Sequence, residues 1–185
     1  MSKTICIVLA NGFEEVEALQ PADIFKRLGF QVILAGLTDT VVTGAHDISV
    51  NTPVLLEEVN VNDFDALVLP GGLPGATNLQ ASSKVLELLA QANRQNKICA
   101  AICAAPIVLY DAGITEGKKI TGYPGCERLS KQPNCSFSGN NLEVDGNIIT
   151  AIGMGKAAAF AFAIAKALKT PTEQIDTLAA GAFIN

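Results

Sequence analysis

The chain has one histidine among its 185 residues, and charged residues make up only 17% of it. A single imidazole rules out a multi-histidine zinc site, and the five cysteines contain no CxxC pair to replace it. Aromatic residues are few (5%), no basic cluster occurs, and the net charge is −5. Nucleic acid and anionic membranes are therefore poor partners. No long apolar run exists. The most hydrophobic stretch, 157–168, is shorter than a bilayer span and contains Lys166. Ser2-Lys3 leads straight into a short strand-like run, too brief for a secretory h-region with a cleavage site. An odd number of cysteines without an export signal reads as reduced thiols of a cytoplasmic protein. The dinucleotide fingerprint GxGxxG is also missing.

What is present is apolar: 49% of the residues are hydrophobic. That composition suits a sheet covered on both faces, whose strands are nearly continuous in apolar side chains. At ~150 residues per domain the whole chain, 1–185, is expected to form one domain. Strand patterns fall at 4–10, 31–37, 66–69, 98–102, 118–122 and 148–152, with one or two short strands in 41–51. Helical patterns fall at 14–28, 83–93, 155–169 and 172–180, with Pro21 expected to kink or break the first. Alternating β and α units predict an α/β fold with a doubly wound, mostly parallel sheet sandwiched by helices. Ligands bind such sheets beyond the carboxyl ends of the strands.

Three features fall at such ends: Asn11-Gly12, Gly71-Gly72 and Cys103. Cys103 stands where the buried strand 98–102 turns into a short helix with almost no loop, flanked by Ala101, Ala104 and Ala105. This is the geometry of a nucleophile elbow. Free backbone N–H groups and a helix N-terminus aimed at the sulfur are expected to favour the thiolate. The plain alternative is a buried cysteine acting as a small hydrophobe. Glu14, Glu15 and Glu17 open the first helix. Dipole complementation accounts for Glu14 and Glu15. Glu17, one turn in, is on the side of Phe13, Ala18 and Pro21. A carboxyl there, facing a thiolate, would keep its proton and serve as general acid/base. Gly71-Gly72 reads either as a turn or as a close backbone approach with an N–H as oxyanion donor.

GFEEVEA near the start, LPGGLPGA in the middle, AAICAAP at the elbow and TGYPG after it resemble the ThiJ/PfpI superfamily. The likeness is to the branch that holds the Parkinson-disease-associated deglycase-like protein and bacterial YajL, and it runs from about residue 4 to 168. It implies a flavodoxin-like sandwich of the class I glutamine amidotransferase type, and a homodimer. It implies Cys103 as nucleophile, Glu17 as the acid hydrogen-bonded to it, and the N–H groups of Gly72 and Ala104 as oxyanion donors. Gly71, Tyr123 and Met154 are the pocket residues it implies. Tyr123 stands where the family's proteases carry a histidine, so no Cys–His dyad forms and peptidase chemistry is not expected. Any general base is then Glu17, water or the Tyr123 phenol. His46 falls at a dimer-contact position and reads as an interface or surface residue. Met154 replaces a proline of the branch. Cys6 and Cys99 read as core, Cys135 as an exposed loop residue. Cys126, three residues after Tyr123, is a candidate partner to trap an oxidised Cys103.

The function expected from this resemblance is a cofactor-independent glyoxalase or deglycase acting on small reactive carbonyls such as methylglyoxal. The alternatives are a peroxide sensor or chaperone built on the same cysteine, and the thiazole monophosphate biosynthesis label that many relatives carry.

Overall fold

The computed structural model describes residues 2–184. Its centre is a seven-stranded sheet. The strands are β1 (Thr4–Leu9), β2 (Gln31–Gly36), β5 (Val54–Leu55), β6 (Ala66–Leu69), β7 (Ile98–Ile102), β8 (Leu142–Asp145) and β9 (Ile148–Ala151). Their spatial order is β5-β2-β1-β6-β7-β9-β8. Every pair is parallel except β8 with β9. A separate antiparallel hairpin, β3 (Val41–Thr43) with β4 (Ser49–Asn51), places two short strands where one or two were expected.

Side-chain alternation divides the core into two layers. Ile5, Ile7 and Leu9 of β1, Ala66 and Val68 of β6, and Ile98, Ala100 and Ile102 of β7 face one way. There they meet α1 (Glu15–Arg27), α5 (Ala157–Ala167) and α6 (Thr172–Gly181). Cys6, Val8, Leu67, Leu69, Cys99 and Ala101 face the other way. They meet α2 (Gly75–Ala81), α3 (Ser83–Arg94) and α4 (Pro106–Asp111). The central strands β1, β6 and β7 are buried almost throughout, as two-sided cover requires.

The expected strand over 118–122 is corrected, and three further details emerge. Residues 118–122 form no strand. Side chains take their backbone donors instead: Lys119 N–H donates to Asp145 (2.9 Å) and Thr121 N–H to Thr150 Oγ1 (2.9 Å). The two edge strands β5 and β8 carry no continuous apolar run and were not expected. Helix α2 begins inside the glycine- and proline-rich segment that reads as a turn. Pro21 lies inside α1 without ending it. Its missing N–H only leaves the Glu17 carbonyl without an intrahelical donor.

Phe160 is the largest α5 side chain with no exposure, and it joins that helix to the sheet. Phe160→Ala is expected to cost about 3–5 kcal/mol of stability, read as a lower urea midpoint at unchanged slope. A loss below about 1 kcal/mol would mean the site collapses around the cavity or the helix is not docked as described.

Candidate functional site

The carboxyl ends of β1, β6, β7 and β9 converge on Cys103. Alternation along β7 would send the side chain after Ile102 into the α2–α4 layer. Cys103 instead takes a left-handed conformation, φ 62°, and packs with the α1/α5 layer. The neighbouring backbone fixes it there. Cys103 N–H donates to Ala151 O (2.9 Å), and its carbonyl accepts from Tyr123 N–H (2.7 Å). Ala104 and Ala105 turn the chain into α4, which opens on Pro106. A non-glycine residue held at positive φ is a strained position of the kind that clusters at functional sites.

The segment after β6 presses against this turn. A Cβ on Gly71 would lie 2.6 Å from Cys103 Cβ, 2.7 Å from Glu17 Oε2 and 2.9 Å from Ala104 N. Only glycine lets thiol and carboxyl meet across it. Gly71 N–H donates to Glu17 Oε2 at 2.9 Å. Gly72, at φ +83°, turns its N–H to the sulfur, as does Ala104.

Glu17 has no solvent exposure. Its second oxygen, Oε1, is buried without a partner of full hydrogen-bond geometry, although the Cys103 thiol reaches the carboxyl. Burial is the dominant influence and pushes the Glu17 pKa up to about 7. The Gly71 N–H and the thiol oppose that shift, and the Glu14 charge adds to it. Because Oε2 must keep a lone pair for Gly71, a proton on this group belongs on Oε1. The expected preference for thiolate is corrected. The N–H groups of Gly72 and Ala104 do lower the Cys103 pKa, but burial, the Glu17 charge and the hydrogen bond to it push it up to about 12. The resting pair is therefore a thiol beside a carboxyl poised at neutrality.

Tyr123 and Met154 are both exposed. With Pro124, Ile152 and Lys156 they line an open, mostly apolar depression whose lining does not include Cys103. Its two walls are nonetheless the segments bonded to the Cys103 backbone. Cys126 packs with the α2–α4 layer, whereas Cys103 packs with the other. Cys6 and Cys99 are buried, and burial drives each thiol up to about 12. Cys135 is half-buried rather than exposed.

His46 is exposed on the turn between β3 and β4, and it is paired within the chain. Its N–H donates to Glu15 Oε1 and its Nδ1 meets Glu15 Oε2, both at 2.8 Å. Glu15 is itself buried, 5% exposed, so dipole complementation understates its part. The pair lowers the Glu15 pKa, raises that of His46, and pins the hairpin to the start of α1. A single histidine and a glutamate 31 positions apart gave no sequence signal for this. Glu14, Glu15 and His46 bring ligand atoms within 4.8 Å of one another, but His46 already engages both oxygens of Glu15.

The model of the DJ-1/PfpI family matches residues 3–167. The chain belongs to this family. Within it the chain stands with the DJ-1 branch. It is 36% identical over 185 residues to Drosophila melanogaster dj-1beta, covering 100% of this chain and 98% of that protein. The crystal structure of Drosophila DJ-1beta superposes with a TM-score of 0.91 over 100% of both chains. A Pyrococcus abyssi protein named a deglycase is 33% identical over 165 residues, 89% of this chain and 99% of that one. A structure of oxidised Toxoplasma gondii DJ-1 gives a TM-score of 0.89 at 29% identity over 98% of each chain. The DJ-1/PfpI α/β fold is thus established across this chain.

Glu17→Gln removes the charge that opposes a thiolate while keeping a hydrogen-bonding group. The pH midpoint of Cys103 alkylation by iodoacetamide is expected to fall by about one unit, a roughly tenfold faster reaction near pH 8. Peptide mass mapping follows the label at Cys103. An unmoved profile would show that the two groups are not electrically coupled.

Proposed function

We propose that this DJ-1/PfpI chain is a cofactor-independent enzyme of the glyoxalase or deglycase type, acting on small reactive carbonyls. The observation that carries the reading is the fully buried Glu17 carboxyl in contact with the Cys103 thiol, its pKa pushed up to about 7. A group half-ionised at neutrality takes up and returns protons with equal ease. That suits a thiol which is not itself ionised at rest.

The steps follow from the geometry. The Cys103 sulfur attacks the aldehyde carbon of methylglyoxal as Glu17 accepts the thiol proton. The carbonyl π pair moves to oxygen, where the Gly72 and Ala104 N–H groups would stabilise it. Glu17 returns the proton to that oxygen, giving a hemithioacetal. The Glu17 carboxylate then removes the C1 proton and returns it to the C2 oxygen, giving an enediol. It next takes the C1 hydroxyl proton and delivers it to C2, which converts hemithioacetal to 2-hydroxy thioester. Water cleaves the thioester, releasing lactate and the free thiol. Oxidation at C1 balances reduction at C2, so no external cofactor is needed. A deglycase would use the same parts on early sugar-aldehyde adducts, and the Pyrococcus relative carries that name.

A redox role is the second reading. Cys103 is half-exposed with two N–H donors at its sulfur, and a DJ-1 relative has been crystallised oxidised. A Cys103 sulfinate would then be the signal.

Lactate formation from methylglyoxal without glutathione tests the first reading. Wild type is expected to turn over, Cys103→Ser to lose activity, and Glu17→Gln to lose at least about a hundredfold in kcat. The last effect is opposite in direction to the faster alkylation of the same variant. Retained turnover in Cys103→Ser would overturn the reading. A selective gain of two oxygens at Cys103 after mild peroxide, in a wild type without turnover, would favour the sensor.

A further inference from the structure

The depression beside the thiol has one charged side chain in its lining, Lys156, and no carboxylate. The rest of the lining is Tyr123, Pro124, Ile152, Met154 and two glycines. Two backbone hydrogen bonds tie its walls to the nucleophile. Cys103 N–H donates to Ala151 O, one residue before the Ile152 wall, and Cys103 O accepts from Tyr123 N–H in the other. Lys156 is held at the turn that leads into α5, its own N–H donating to Gly153 O at 2.8 Å. It is only partly exposed, and among the described residues its ammonium forms no ion pair. The chain as a whole carries a net charge of −5. Against that overall negative charge, a cation without a carboxylate in the same lining is a feature that favours an anion locally. The apolar surroundings strengthen its pull on a negative group.

We propose that this depression is the subsite for the part of the substrate remote from the reacting aldehyde, and that Lys156 selects carbonyl compounds bearing an anionic substituent. Tyr123 and Met154 would hold the intervening apolar or planar segment, and the ammonium would meet a carboxylate or phosphate at its far end. The inference rests on the carbonyl reading above and narrows it to a substrate class. Lys156 acts on binding, not on the proton transfers at Glu17.

Two arylglyoxals of nearly equal shape provide the probe: 4-carbamoylphenylglyoxal, which is neutral, and 4-carboxyphenylglyoxal, which is anionic. Wild type is expected to prefer the anionic compound in kcat/KM. The ratio of the two should fall roughly tenfold in Lys156→Gln, mostly through KM, and survive in Lys156→Arg, as loss of one charged hydrogen bond predicts. Added salt should erode the wild-type preference. An identical ratio in wild type and Lys156→Gln would overturn the proposal. Should no glyoxal, methylglyoxal included, be turned over, the carbonyl reading fails by itself. Labelling of Cys103 by 3-maleimidopropionate relative to N-ethylmaleimide then decides the role of Lys156. A fall of this ratio in Lys156→Gln supports the anion subsite, and an unchanged ratio removes it.

Discussion

Gly71 passes between a buried carboxyl and a thiol, and the whole site depends on that closeness. Three chain segments meet there: the turn of β7 into α4, the first turn of α1, and the exit from β6. None could approach the others if a methyl group occupied the Gly71 position. The Gly71 N–H also fixes which oxygen of Glu17 is occupied and leaves the other free of a partner. The parallel sheet makes the meeting possible, because adjacent parallel strands deliver their carboxyl ends to one edge.

Burial sets the chemistry of the pair. The local donors favour negative sulfur, but the desolvation of both groups is larger, and two negative charges so close are resisted. One proton therefore stays with the pair through neutral pH. The sequence-level expectation of a ready thiolate counted the donors and could not count the loss of water. That loss comes first from the burial of Cys103 itself, with the completely covered Glu17 carboxyl adding to it.

The legible parts of the fold were those with a continuous pattern. β1, β6 and β7 read clearly because they are apolar on both faces, and α3 because its apolar face recurs at helical spacing. The elbow at Cys103 was legible because a strand, a thiol and a helix follow one another without a loop. Residues 118–122 misled because a short segment holding Ile120 and Thr121 looks the same whether its donors go to a neighbouring strand or to Asp145 and Thr150. The Glu15–His46 pair was invisible because its partners are far apart in the chain. Lys156 stood out only once the folded chain placed it beside Tyr123.

The left-handed backbone at Cys103 has a consequence for how this position fares under selection. A non-glycine residue there burdens the folded state by about 1–2 kcal/mol, and glycine or asparagine would relieve much of it. Selection for stability alone would thus drive cysteine out of position 103. A lineage that keeps the thiol does so against that pressure, and a library sorted only on thermal resistance is the setting in which it would vanish first.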